Sequence, residues 1–207
     1  MPGWTCRRSI DVRYARPLVF VVCLLPAAVL VWLIVSGRLG ANPLEAIRDS
    51  TGIWTLRFLL ITLAISPLRR LAKWHNIIKL RRMVGLFAFF YATLHFVSYI
   101  WLDQFFALSE MLKDFTKRPF IMAGYASFTI LIPVAITSTS KWILRLGGKR
   151  WQLLHRLIYL SAAAGVLHYF WRVKLDVQRP VIYGVILAIL LVLRLLEYTR
   201  PTASSSA

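Results

Sequence analysis

Apolar residues fall into six blocks along the chain, with short polar segments between them. Each block comes close to the about 20 residues that an α-helix needs to cross a bilayer. The pattern predicts an all-α fold, namely a polytopic membrane bundle of six transmembrane helices. The blocks occupy residues 17–36, 53–68, 83–102, 120–139, 153–171 and 181–196.

The charges between the blocks predict the orientation of this bundle. Segments 69–82 and 140–150 carry bases and no acids, whereas segments 37–52 and 103–119 balance bases with acids. Because cytoplasmic loops of membrane proteins are enriched in Lys and Arg, we expect the basic segments and both termini to be cytoplasmic. Segment 172–180 departs mildly from the alternation, with three bases against one acid.

The composition supports a membrane protein over the soluble alternatives. The chain is 58% hydrophobic with a mean hydropathy of +0.64, and a soluble domain of this size must cover its surface with more polar side chains. Since the bases lie in short loops, the net charge of +18 indicates topology and not nucleic-acid binding. We divide the chain into a cytoplasmic N-terminal segment 1–16, a helical domain 17–197 and a disordered tail 198–207.

The two cysteines exclude several kinds of redox centre. Cys6 and Cys23 form neither a CxxC nor a CxxCH motif, which excludes iron–sulfur runs and covalently attached haem. The chain also has no glycine-rich nucleotide-binding motif.

Two histidines lie at matching depth in different blocks. His95 follows Arg81 by fourteen residues and His168 follows Trp151 by seventeen, so both lie about 20–25 Å from the inner side. Ionisable side chains inside a membrane are costly and usually functional. Two neutral imidazoles at one depth predict bis-axial ligation of a haem iron, which suits electron transfer.

A third histidine, His155, lies nearer the cytoplasmic side. It precedes His168 by thirteen residues, a rise of about 20 Å that would suit a second redox centre. On a regular helix the two side chains point about 140° apart, and the third block has Arg82 at the depth of His155. Two interpretations follow, namely a ligand of a second haem and a histidine that hydrogen-bonds a neighbouring helix.

Four arginines are candidates for binding a cofactor, because guanidinium groups pair with carboxylates and phosphates. Arg57 lies at about the depth of the proposed haem and is a candidate partner of a propionate. Arg82, Arg150 and Arg156 lie on the cytoplasmic side and are candidate partners of a propionate or a flavin phosphate. All four also fit simpler roles as topology signals or as side chains that extend to the interface.

Three stretches carry a family resemblance that covers nearly the whole chain. They are NPLEAIRDSTGIWTLRFLLITLAISPLRR (42–70), LRRMVGLFAFFYATLHFVSY (80–99) and KRWQLLHRLIYL (149–160). Together they resemble the MsrQ (YedZ) family within the ferric-reductase-like transmembrane superfamily. The members of this family are haem-binding membrane subunits of bacterial protein-methionine-sulfoxide reductase systems.

The resemblance implies a multi-pass protein of the bacterial inner membrane that binds one or two b-type haems and FMN. It implies His95, His155 and His168 as the haem-associated histidines. The electron donor would be quinol or a cytosolic flavin reductase. The partner would be a periplasmic, molybdopterin-containing methionine-sulfoxide reductase that repairs oxidised proteins, and this chain would be its non-catalytic electron-transfer subunit.

Two other functions fit the residues. One is a ferric or oxygen reductase membrane component, which would need a separate flavoprotein donor because the chain has no nucleotide-binding domain. The other is a small proton-coupled transporter with histidines in its path. A transporter should pair those histidines with acids inside the spans, yet most acids here lie between the apolar blocks.

Overall fold

The structure, a computed structural model, describes residues 12–173 and 176–199. Within these ranges it contains helices and no strand, as the sequence predicts. The predicted N-terminal segment and C-terminal tail lie largely outside them. The helices are α1 (Val12–Val35), α2 (Pro43–Leu71), a short 3-10 helix (His75–Ile77), α3 (Ile78–Ser98) with a π-helical extension (Tyr99–Asp103), α4 (Leu108–Lys117), α5 (Pro119–Ile136), α6 (Ser140–Leu146), α7 (Gly148–Arg172) and α8 (Gln178–Thr199).

Five helical stretches of the described chain are long and apolar enough to cross a membrane. The sixth predicted span corresponds to α7, whose 25 residues reach about 37 Å and are therefore long enough. Its bases and histidines lower its hydropathy, so α7 as a span remains a prediction. The five stretches are Ala15–Val35, Pro43–Leu71, Ile78–Asp103, Pro119–Ile136 and Gln178–Leu196.

Several helices extend into segments that the hydropathy pattern assigns to loops. In α2 the helix begins at Pro43, because Asn42 caps it by accepting a hydrogen bond from the Glu45 amide (3.4 Å) and proline suits the first helical position. Segment 103–119 contains α4, and segment 140–150 contains α6. Apolar blocks end at charged residues, whereas helical hydrogen bonds continue past them.

A tyrosine of α3 completes the hydrogen bonding of α1. The Tyr91 hydroxyl accepts from the Ala27 amide (2.9 Å) and donates to the Cys23 carbonyl (2.9 Å). These two groups would bond to each other in an undisturbed helix. They flank Pro26, which has no amide hydrogen and disturbs the helix around it. The side chain of Tyr91, only 1% exposed, therefore fixes α1 against α3.

Small residues bring α2, α3, α5 and α7 together in two antiparallel pairs. In the pair of α2 and α3, Gly85 lies against Thr62. In the pair of α5 and α7, the hydroxyls of Ser127 and Ser161 each donate to the other's carbonyl (2.9 and 3.0 Å). Small side chains and interhelical hydrogen bonds are the usual means of helix packing in membranes. The serine pair therefore fixes α7 to α5 at a point of α7 that lies between His155 and His168.

The two ends of the helix pairs differ in charge. We call the end at which α2 and α5 begin and α3 and α7 end the acidic end, because it carries Asp49, Asp103 and Asp114. Ion pairs of Arg48 with Asp103 and of Arg172 with Asp49 join the helices there. We call the opposite end the basic end. It carries Arg69, Arg70, Arg81, Arg82, Lys149 and Arg150.

Candidate functional site

The imidazoles of His95 on α3 and His168 on α7 face each other. Their ring centres are 6.0 Å apart and their planes lie at 80°. An imidazole nitrogen binds a transition metal at about 2 Å, so two imidazoles on opposite sides of one ion have ring centres roughly 6 Å apart. The spacing of this pair therefore matches axial ligation of a single metal ion.

Hydrogen bonds fix which nitrogen each imidazole can offer. Nδ1 of His95 lies 3.0 Å from the Arg48 carbonyl, and Nδ1 of His168 lies 2.6 Å from the Phe120 carbonyl. A carbonyl accepts, so in each ring Nδ1 carries the proton and Nε2 keeps its lone pair. Metal-binding histidines are usually oriented by such a bond on the other nitrogen. Both rings are thus held in the tautomer that a metal needs.

A glycine makes room for each ring. A Cβ on Gly52 would lie 3.0 Å from Cε1 of His95, and a Cβ on Gly124 would lie 2.8 Å from Nδ1 of His168. Each glycine follows by four residues the carbonyl that accepts the histidine proton, which is Arg48 in α2 and Phe120 in α5. Both imidazoles therefore lie against a helix backbone in the same way.

A cavity of about 430 Å³ lies between α2, α3, α5 and α7, and both imidazoles line it. This volume is within the range of ligand-binding pockets, about 300–1,000 Å³. Much of its wall is apolar, with Leu56 and Leu59 from α2 and Phe128 and Leu131 from α5. An apolar wall suits a flat macrocycle, since it excludes water from the ligand.

The acidic end of the cavity carries polar groups with spare bonding capacity. Arg48 and Arg172 line it while paired with Asp103 and Asp49. Nε of Arg48 and the Tyr99 hydroxyl are buried without a hydrogen-bond partner in the described part of the chain. Buried polar atoms nearly always have partners. The two atoms therefore suit an acceptor group of a ligand, such as a carboxylate.

The third histidine lies apart from this pair. Nε2 of His155 is 3.1 Å from the Thr137 hydroxyl at the end of α5, and its ring stacks on Trp151 with centres 3.9 Å apart. The Trp151 indole in turn donates to the Thr137 carbonyl (2.9 Å). His155 is near the basic end, about 20 Å along α7 from His168.

None of the four arginines predicted from the sequence lines the cavity. Arg57 is exposed; its Nε donates to the Tyr183 hydroxyl (3.0 Å), and its guanidinium lies 4.6 Å from the Trp54 ring centre. Arg82, Arg150 and Arg156 are exposed toward the basic end. Arg48, Tyr99 and Arg172 are among the polar residues that line the cavity. The sequence analysis missed all three, and it assigned Arg48 and Arg172 to loops.

Known proteins resemble this chain over most of its length. The family model "Ferric reductase like transmembrane component" matches residues 51–166. Three relatives are each named "Protein-methionine-sulfoxide reductase heme-binding subunit MsrQ". The relative from Herminiimonas arsenicoxydans is 55% identical, over 86% of this chain and 83% of its own. The relative from Rhodospirillum rubrum is 50% identical over 100% and 99%. The relative from Caulobacter vibrioides is 44% identical over 91% and 90%.

Proposed function

We propose that this chain, which belongs to the ferric-reductase-like transmembrane family and to its MsrQ members, carries electrons through the membrane on haem b. It is a multi-pass protein of the bacterial inner membrane. The observation that carries the proposal is the facing pair of His95 and His168, 6.0 Å apart between ring centres. Haem b, when bound there, supplies an iron that accepts and releases single electrons.

The residues around the pair would keep that iron confined to electron transfer. The carbonyls of Arg48 and Phe120 engage Nδ1 of each imidazole, so that Nε2 keeps its lone pair for the iron. His95 and His168 would both ligate the iron, which would leave no open position for a substrate. The apolar wall of the cavity would exclude water from the macrocycle.

The acidic end would bind the haem propionates. We assign this role to Arg48, Arg172 and Tyr99 in place of Arg57, because the three line the cavity and Arg57 does not. Arginine binds carboxylates strongly through charge-assisted hydrogen bonds. The orphaned Nε of Arg48 and the Tyr99 hydroxyl would gain acceptors from the same groups.

The direction of transfer follows from the charge of the two ends. By the positive-inside rule we propose six spans, including α7, with both termini and the basic end in the cytoplasm. Electrons from quinol or a cytosolic flavin reductase would enter at the basic end. There His155 would ligate a second haem, and Arg82, Arg150 and Arg156 would attract the phosphate of FMN. The acceptor would be the periplasmic, molybdopterin-containing methionine-sulfoxide reductase at the acidic end.

Optical spectra of purified variants test the axial pair. The wild-type chain should show the sharp α and β bands of six-coordinate low-spin haem b on reduction. His95→Ala and His168→Ala should each lose the haem that the two histidines would ligate together. His155→Ala should keep that haem. Any fall in haem per chain in His155→Ala would measure the amount of the second haem. A full haem complement with unchanged bands in either His95→Ala or His168→Ala would refute the pair.

A ferric or oxygen reductase component is the second candidate. It is supported by the match to a family model that is named for ferric reductases. The distinction lies in the acceptor. The reduced protein should be reoxidised rapidly by a methionine-sulfoxide reductase and its substrate, but slowly by ferric chelates or oxygen. A proton-coupled transporter is disfavoured, because His95 and His168 hydrogen-bond to backbone carbonyls and not to carboxylates.

A further inference from the structure

The short helix α4 connects two membrane-spanning stretches, Ile78–Asp103 and Pro119–Ile136. It has the apolar positions of an amphipathic helix, Leu108, Met111, Leu112 and Phe115, spaced i, i+3, i+4 and i+7 on one face. Its other positions are polar or charged. The side chains of Leu108 and Leu112 are 67% and 60% exposed, so the protein itself leaves much of this apolar face uncovered.

Two phenylalanines extend the same apolar surface. Phe105 and Phe106, in the turn before α4, are 76% and 68% exposed. Both have positive φ angles, 46° and 60°, which are rare for aromatic residues. The backbone of this turn is strained, and the turn leaves two large apolar rings exposed. Exposure of these rings to water would be unfavourable, so we expect an apolar environment around them.

Contacts of α4 show which way its apolar face is directed. The Phe115 ring packs against Tyr125 with ring centres 5.5 Å apart. Tyr125 lies six residues inside α5, or about 9 Å along its axis from Pro119. The Phe115 part of the apolar face is therefore directed along α5, away from the end at which α5 begins, and it packs on a residue of the cavity lining. Lys113 and Glu110, on the opposite face, form an exposed ion pair (2.7 Å).

Exposed apolar side chains also flank α4 and its preceding turn along the chain. Trp101, 58% exposed, precedes the turn, and Met122, 46% exposed, follows α4. Both belong to stretches apolar enough to cross the membrane, so exposed side chains there meet lipid. The cations Lys117 and Arg118 lie at the end of α4, where they would meet the phosphates of the headgroups.

We propose that α4 and the turn before it form an interfacial anchor, with Phe105, Phe106, Leu108 and Leu112 inserted into the lipid at the acidic end. Amphipathic helices of this kind lie in the plane of the interface, with the apolar face about 5–10 Å into the headgroup boundary. The anchor also reaches the cavity, because Asp114 of α4 accepts from Gln104 (2.9 Å) and pairs with Arg118 (3.3 Å), two residues of the cavity lining. The membrane would thereby hold the structure that covers the cavity.

Site-directed spin labelling tests the anchor without reference to any redox group. The full-length chain, with Cys6→Ser and Cys23→Ala as background, is placed in nanodiscs of phosphatidylethanolamine and phosphatidylglycerol. Labels are attached at Leu112→Cys and, as a matched control, at Lys113→Cys. Collisions with oxygen, which concentrates in lipid, are compared with collisions with a water-soluble nickel chelate.

The label at position 112 should collide mainly with oxygen, and the label at position 113 mainly with the nickel chelate. A second pair, Leu108→Cys and Ser109→Cys, should repeat this inversion and covers the case in which one variant fails to fold. Two results would overturn the proposal. Collisions mainly with nickel at positions 108 and 112 would place the face in water. Shielding of both positions from both reagents would place it against protein, such as a second copy of the chain.

Discussion

Replacing Gly124 by alanine should disrupt haem binding while leaving the helices intact. The added Cβ would lie 2.8 Å from Nδ1 of His168. Non-bonded heavy atoms pack at about 3.5 Å or more, so the ring must retreat by roughly 0.7 Å. Ligand distances at metal sites are kept to about ±0.2 Å. The imidazole cannot make this shift and still bind an iron centred between the two rings.

A comparison with Gly52 sharpens the prediction. There the Cβ would lie 3.0 Å from Cε1 of His95, so the ring must move by roughly 0.5 Å, which is less than at Gly124. Changes to groups that orient metal ligands weaken binding by about 10–100-fold. We expect haem retention to fall toward the upper end of that range in Gly124→Ala and toward the lower end in Gly52→Ala.

Haem per chain and the low-spin electron paramagnetic resonance signal measure this effect in purified protein. Gly85→Ala is the matched control, because its Cβ would meet only the Thr62 side chain, with Cγ2 at 3.4 Å and Oγ1 at 3.8 Å. Helicity should persist in every variant, since alanine is favoured over glycine within a helix by about 0.5–1 kcal/mol. Equal haem content in Gly124→Ala and Gly85→Ala would refute the reasoning, and so would a larger loss in Gly52→Ala than in Gly124→Ala.

Two further substitutions test the packing that positions the site. Tyr91→Phe should lower the free energy of unfolding by about 1–3 kcal/mol, because it removes two interhelical hydrogen bonds worth roughly 0.6–1.7 kcal/mol each in membranes. Thermal unfolding in detergent measures this, and an unchanged midpoint would contradict it. Ser161→Val should cost about 1–3 kcal/mol through overpacking of a fully buried position. Ser161→Ala should cost less, because it removes the hydrogen bond that the Ser161 hydroxyl donates without adding volume, and equal losses would argue against overpacking.

The depth of a residue along its helix could be predicted from the sequence, and depth brought His95 and His168 to matching positions. A count of residues from the ends of the apolar blocks is enough for this, because the helical rise is constant. The apolar block 153–171 predicted a helix where α7 lies, and α7 as a membrane span stays a prediction. Charged residues lower the average over α7 even though its length suits a bilayer.

The direction in which a side chain points could not be predicted from depth. Arg57 lies at about the depth of the histidine pair but follows Gly52 by five residues, which turns it about 140° away from the face of α2 that carries Gly52. Arg48 precedes Gly52 by four residues and shares its face. The sequence analysis chose Arg57 for its depth within an apolar block and did not consider Arg48, which lies outside the blocks.

Segment 103–119 shows a second limit of hydropathy. Its balanced charges favoured a loop, yet Leu108, Met111, Leu112 and Phe115 already have helical spacing. A search for amphipathic periodicity within the loops would have found α4. The cavity itself could not be predicted, because its lining comes from four helices whose mutual rotation is fixed by small residues such as Ser127 and Gly165.

The hydroxyl of Tyr91 has a consequence for how α1 and α3 can change over time. Only one rotation and one height of α1 let Ala27 and Cys23 both reach that oxygen. The lipid-facing side chains of α1 can vary freely among apolar types. Pro26 and Tyr91, in contrast, depend on each other, because the Tyr91 hydroxyl bonds to the backbone groups beside the proline. In relatives that lack the proline, the helix can form its own hydrogen bond at this point and the tyrosine hydroxyl is not needed. Substitutions at the two positions should therefore occur together in evolution.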